Sequence, residues 1–257
     1  MYVPLKSWPK IHRHIDALNL MKGPVLGLDL EWDQVSRKIE ILGLSDGETT
    51  LSCPFDSAAE ARLRHLATDK SVTLVGHNVH RADRLELERI GIHTKLDQWD
   101  DTIIRHYLAN AHLCKQTQKG GDEEENIKRG RGFMNIGTML SLYTNLPYHK
   151  DCREVSERVI EKESTGKYYK TGKRAGELKY KNIKKTVIHS PCDGPCPKHD
   201  PFWYNGIDSL GPVLALPGLK RDMRFREVDH LYPIHVRLAD VLAQMEERGL
   251  CVDVECV

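Results

Sequence analysis

No apolar run in this chain approaches the roughly 20 residues needed to cross a bilayer, and the N-terminus has no apolar core of the kind that marks a signal peptide. The chain is therefore expected to stay in the cytoplasm. A disulfide framework is missing too. The seven cysteines are odd in number, and Cys53, Cys114, Cys152, Cys251 and Cys256 are scattered, so reduced thiols are expected. Nor is there a charge of one sign: 38 basic residues stand against 37 acidic ones, a formal charge of +1. Net charge thus advertises no nucleic-acid partner, and any such argument must rest on local clustering.

What is present is the composition of a soluble globular protein, 40% hydrophobic and 29% charged over 257 residues. That length allows one large domain or two small ones, and one domain with an insertion is preferred. Ile11, Ile15, Leu18 and Leu20 have roughly helical spacing, which predicts a short helix within residues 5–20. Three strands follow at Val25 to Trp32, Lys38 to Ser45 and Thr49 to Cys53, the last two joined by Asp46-Gly47 as a hairpin. Asp56-Ser57 caps a helix through Ala58, Leu63 and Leu66. Val72 to Gly76 is a short buried strand, and a helix with Leu85, Leu87 and Ile90 stops at Gly91. Trp99-Asp100-Asp101-Thr102 opens another helix, and Phe133 to Leu146 and Arg226 to Arg248 carry helical patterns. Antiparallel strands followed by alternating helices and strands predict an α/β fold with active residues at strand ends.

The acids of Leu28-Asp29-Leu30-Glu31 stand two apart on a strand, so both carboxylates share one face while the leucines pack into the other. Two neighbouring carboxylates repel and lose hydration unless a cation compensates them. Oxygen-only ligands favour Mg²⁺ or Mn²⁺. The plainer reading is a strand end whose acids face water. Asn78 at the next strand end and Asp83 in the first turn of the following helix would join them. Read singly, Asn78 is a turn residue and Asp83 an acid favoured by the helix dipole. Tyr204 and Asp208, four apart on one helical face, supply a phenol beside a further acid. Asp101 before Thr102 is most simply an N-cap. The conjunction of these features carries more than any one of them.

Residues 115–200 differ in character. Gln116 to Arg131 reads as a solvated loop with an acidic block at Asp122 to Glu125. Lys162 to Lys185 holds nine basic residues against Glu163 and Glu177, interleaved with Tyr168, Tyr169 and Tyr180. Two readings stay open: a stretch that tracks a phosphate backbone while its rings stack on bases, or a solvated insertion. His189, Cys192, Cys196 and His199 are zinc-ligand types at a non-standard spacing, set against a rigid loop rich in proline.

The order Asp-x-Glu, Asn with a following Asp, then Tyr-x3-Asp resembles the DnaQ-like, or DEDD, 3′-5′ exonucleases of the tyrosine subtype. Phe133 to Gly137 and Leu142 to Lys150 look like a segment of the proofreading domains of phage-type family A DNA polymerases. Val228 to Pro233 and Met245 to Asp253 look like the passage from such an exonuclease into the polymerase thumb. The resemblance implies a ribonuclease H-like mixed sheet with flanking helices, interrupted by the basic Cys/His-containing insertion. It implies an exonuclease domain over 1–225, and over 226–257 an amphipathic helix opening a polymerase domain. The implied activity is release of nucleoside monophosphates from DNA 3′ ends, for proofreading beside a polymerase domain in cis or in trans. An exoribonuclease of the same fold and an inactive docking module are the alternatives. Asp29, Glu31, Asp83 and Asp208 are the implied ligands of two Mg²⁺ or Mn²⁺ ions about 4 Å apart, with Tyr204 positioning the water. Asn78, His77 and Trp32 are the implied substrate contacts, Trp32 having a core role as its alternative. Two features depart from the pattern. Asp83 lies five residues after Asn78 rather than four, leaving Asp101 as a neighbouring candidate. His235 and Asp240 fit the histidine subtype but lie inside the C-terminal amphipathic helix.

Overall fold

The computed structural model describes residues 9–116, 133–146, 155–168, 178–189 and 200–249. The chain divides into two units, one of Met1–His149 with Asp200–Val257 and one of Lys150–His199.

The first unit is built on six strands: β1 (Ile11–His12), β2 (Val25–Trp32), β3 (Ile39–Ser45), β4 (Thr50–Pro54), β5 (Thr73–Gly76) and β6 (Trp99–Asp101). Their order is β1-β4-β3-β2-β5-β6. β2, β3 and β4 form an antiparallel meander, β5 and β6 add in parallel to β2, and β1 adds in parallel to β4. Helices α1 (Ser57–Thr68), α2 (Asp83–Arg89), α3 (Thr102–Gln116), α4 (Ile136–Tyr143), α5 (Pro201–Phe225) and α6 (Tyr232–Arg248) flank the sheet. Asp56 caps α1 through Ala58 and Ala59, and Asp200 caps α5 through Phe202 and Trp203.

The alternation along β2 decides where everything else goes. Leu26, Leu28 and Leu30 enter one core with Leu42, Leu44, Leu51, Leu63 and Leu87. The opposite face carries Gly27, Asp29 and Glu31 and meets α5. A Cβ added to Gly27 would lie 1.9 Å from the Ser209 carbonyl oxygen, and one on Gly43 2.5 Å from Asn205 Oδ1. Glycine in these strands is what lets α5 come close enough to bring its polar residues to the sheet. Behind it, Trp203, Ile207 and Leu210 pack with Met139 and Leu140 of α4 in a second core.

Several expectations are corrected. In place of a helix within residues 5–20, the described part holds strand β1 and a six-residue 3-10 helix, Ile15–Leu20. Trp99 to Asp101 is an edge strand, and the helix starts only at Thr102. The C-terminal pattern breaks at its start: Asp229–Leu231 is a 3-10 turn, and α6 begins at Tyr232 with Pro233 in its first turn. Gly249, at a φ of 66°, closes α6.

The second unit contains a long antiparallel hairpin, β7 (Val155–Tyr168) with β8 (Leu178–His189), running from Val155 opposite His189 to Tyr168 opposite Leu178. These strands are a departure from the loop-like character expected of the insertion. Val155, Val159 and Ile160 on one strand and Ile183, Thr186, Val187 and Ile188 on the other supply the β-branched residues that favour them. The loop expected over Gln116 to Arg131 lies, apart from its first residue, outside the described residues. So do Tyr169, Cys192, Cys196 and His199 of the basic and zinc-like motifs, while His189 is the last residue of β8. Among the described residues, no helix is long and apolar enough to cross a membrane.

Candidate active site

The site forms where β2 outruns its parallel neighbour. β5 pairs with β2 only from Val25 to Gly27, so Leu28 to Trp32 project past the end of β5. The backbone amides on that side then need other acceptors. One is the carboxylate of Asp83, the first residue of α2, whose Oδ1 accepts the Leu30 N–H at 2.9 Å. Leu30 is the residue between the two acids. Asp29 and Glu31 in turn lie with Asp208 of α5 so that one oxygen from each falls within 4.8 Å of the others. Three of the four acids singled out in the sequence are thereby gathered, and the fourth is bonded to the strand that carries two of them.

Burial pushes the Asp83 carboxyl well above the usual carboxylate range, with the charges of Asp101 and Glu31 adding to the shift and the Leu30 amide opposing it. An all-oxygen set of this density suits a hard divalent cation, which would relieve the repulsion that burial sharpens.

Tyr204 stands one helical turn before Asp208 on α5 and is partly exposed. Between them is a residue that the sequence reading left without a role. Asn205 is fully buried and donates through Nδ2 to both the Asp29 carbonyl, at 3.0 Å, and Asp29 Oδ2, at 2.8 Å. Its Oδ1 accepts from Ser52 Oγ at 2.7 Å. The signal that could have found it was Gly43, a glycine inside a strand where a neighbouring group comes close.

Asn78 follows β5 at a φ of 70°, a left-handed conformation that asparagine tolerates better than most residues. Its amide donates to Asp101 Oδ1 at 2.9 Å. Asp101 also accepts from Ile103, capping α3, and from His80. Burial raises its pKa to about 6 against those hydrogen bonds. It is absent from the carboxylate cluster, and its contacts hold the turn leading from β5 to Asp83. His77 is engaged at both ring nitrogens, with Thr102 Oγ1 at 3.1 Å and the Met134 carbonyl at 2.9 Å. Trp32 lies at a register shift after Glu31, with the Arg37 guanidinium 6.0 Å from its ring. Its buried indole N–H finds no acceptor among the described residues. His235 lies against the Tyr107 ring, and Asp240 pairs with Arg84. Neither belongs to the carboxylate cluster.

Beside the site, Asp100 is buried under Arg105, Lys220 and Tyr232, and its carboxyl is lowered by the two cations against the effect of burial. This ion cluster is not legible in the sequence, because Lys220 and Tyr232 come to Asp100 and Arg105 from more than 100 residues away.

A mixed sheet of this order, with acids converging at the end of its first long strand, has counterparts among solved structures. Brucella melitensis NrnC has a similar structure, at a TM-score of 0.54 and 14% identity over 93% of each chain. NrnC bound to pGG matches at 0.56 and 12% identity, covering 96% of this chain and 98% of that one. Escherichia coli RNase D, an exoribonuclease involved in structured RNA processing, matches at 0.51 and 15% identity over 93% of this chain and 51% of its own length. At such identities the likeness is one of fold. No protein-family model and no curated protein sequence matches the chain.

Proposed function

We propose that the chain is a metal-dependent 3′-5′ exonuclease of the tyrosine subtype. The observation that carries the reading is the convergence of Asp29, Glu31 and Asp208 within 4.8 Å, with Asp83 bonded to the amide between the first two. Mg²⁺ or Mn²⁺, two ions when bound, supplies an activated water and offsets charge on the leaving 3′ oxygen. Asp29, Glu31, Asp83 and Asp208 hold the cation charge at the strand end. Asn205 fixes the Asp29 carboxylate, so that its orientation does not have to be established during turnover. Tyr204 orients the attacking water and Asn78 receives the terminal nucleotide, while Trp32 packs against the core of Leu28 and Leu30, the other role its place in the sequence allows.

For the substrate we favour a DNA 3′ end, with residues 1–225 as a proofreading domain that works beside a DNA polymerase domain in cis or in trans. The support is the resemblance of residues 133–150 and 228–253 to proofreading polymerases, together with the face that α6 turns outward. Ile234, Leu238, Val241, Leu242 and Met245 are each between 45% and 61% exposed, a stripe suited to a protein partner. A second reading, an exoribonuclease, is supported by the likeness to RNase D and to NrnC with its bound pGG. The experiment is degradation of 5′-labelled single-stranded DNA and RNA of one sequence in Mn²⁺, beside the Asp29→Ala variant. Faster shortening of DNA from the 3′ end supports proofreading, and faster shortening of RNA supports the second reading. Undiminished activity in Asp29→Ala overturns the site.

A further inference from the structure

The C-terminal helix α6 is amphipathic and docks through Tyr232, Val236 and Ala239, which pack with Ile104, Leu108 and Met223 in a third core. Ion pairs tie it to one further element. Asp240 pairs with Arg84, Glu246 with Arg81 and Glu247 with Arg89, and all three arginines lie on or just before α2, the seven-residue helix that starts with Asp83. Of these pairs only Arg84 with Asp240 is largely shielded, its side chains 8% and 19% exposed. The exposed pairs count for little, whereas a shielded pair is costly to break from one side. The N-cap position of α2, Ala82, makes no side-chain capping bond, so the turn carrying Asp83 depends on outside contacts. At the other end of α6, the Tyr232 hydroxyl accepts the Asp101 N–H at 2.7 Å and donates to Asp100 at 3.1 Å. Asp101 is the carboxylate that holds the Asn78 and His80 amides just ahead of Asp83.

We propose that α6 braces the acid site: the Arg84–Asp240 pair and the Tyr232 hydroxyl fix the first turn of α2, and with it Asp83, against β2. Asp240, Arg84 and Tyr232 are on this account positioning residues, and the helix that resembles the opening of another domain is part of the exonuclease machinery. The inference rests on the metal-dependent reading of the site, so its test has a readout that needs no cleavage.

Mn²⁺ binding is measured by electron paramagnetic resonance, and cleavage of a labelled oligonucleotide is followed in parallel. Both are done on the full chain at a temperature where circular dichroism shows it folded. Asp240→Asn is expected to weaken Mn²⁺ binding and to lower kcat, each about tenfold. The KM for the oligonucleotide should stay within about twofold. Asp240→Glu should restore both, and Tyr232→Phe, which removes a single oxygen, should reproduce the loss. Folded Asp240→Asn and Tyr232→Phe proteins with unchanged Mn²⁺ affinity and kcat would overturn the brace while leaving the exonuclease reading intact. A wild-type chain that binds no Mn²⁺ overturns both.

Discussion

Asp83 and Leu30 are 53 positions apart in sequence and joined by one hydrogen bond, the Leu30 N–H donating to Asp83 Oδ1 at 2.9 Å. A buried carboxylate thereby completes the ladder of a strand whose parallel neighbour has ended, and it does so between the two acids of that strand.

That double role separates the effects of two substitutions. Asp83→Asn keeps an oxygen able to accept from Leu30 and discards a charge that burial disfavours. The metal-free protein should therefore melt at a higher temperature above pH 7, while Mn²⁺-dependent cleavage falls about a hundredfold. Asp83→Ala also strips the amide of its acceptor, a loss of about 1–3 kcal/mol. Denaturant titration of both variants without metal, followed by cleavage assays, checks the order.

Asn205 holds Asp29 from the other side. In Asn205→Ala the Asp29 carboxylate loses its donor, and cleavage should fall between about tenfold and a hundredfold. Asn205→Asp should be worse, because it sets another carboxylate against Asp29. Activity of Asn205→Asp equal to that of Asn205→Ala would show that orientation outweighs charge at this position.

The room for Asn205 comes from Gly43. A methyl group there would stand 2.5 Å from Asn205 Oδ1 and 3.0 Å from its carbonyl oxygen, so Gly43→Ala must displace α5 or turn the amide away. A loss of about 1–3 kcal/mol in stability is expected, as for other overpacked sites, with cleavage reduced as in Asn205→Ala. Retention of full activity by a destabilised Gly43→Ala would mean that α5 shifts as a body.

Much of this site was legible because its parts follow local rules. The period of two along β2 put Asp29 and Glu31 on one face, and the period of a helix put Tyr204 one turn before Asp208. Asn78 and Asp83 were found through their places at a strand end and a helix start. What escaped depends on distant partners. Asn205 is an unremarkable residue until Gly43, Ser52 and Asp29 are brought to it, and Asp100 is merely one more acid until Arg105, Lys220 and Tyr232 surround it. The edge strand Trp99–Asp101 is too short for periodicity to reveal, and its pairing with β5 is what makes it a strand. The amphipathic pattern of α6 was visible, but not which of its residues dock: Val236 and Ala243 are buried, while Ile234, Leu238, Val241 and Met245 stay exposed.

The last prediction concerns Asp101, buried and raised to about 6 from a usual value of 3.8. A carboxyl whose folded pKa is raised favours the folded state while it is protonated. Its contribution is complete below about pH 4 and is lost as the pH rises through about 6, amounting at most to about 3 kcal/mol. Asp101→Asn keeps an oxygen for the Asn78 and Ile103 amides and removes the titration. Without metal, the stability of the wild type relative to this variant should therefore drop from about pH 4 to pH 6. Asp100 and Asp83 interact with Asp101 by charge, so the difference also carries the change that the substitution makes in their titration, that of Asp83 falling near pH 7. Chemical denaturation of the pair at half-unit pH steps measures it, and a difference that does not vary with pH would mean that Asp101 is as easily ionised in the fold as in the unfolded chain.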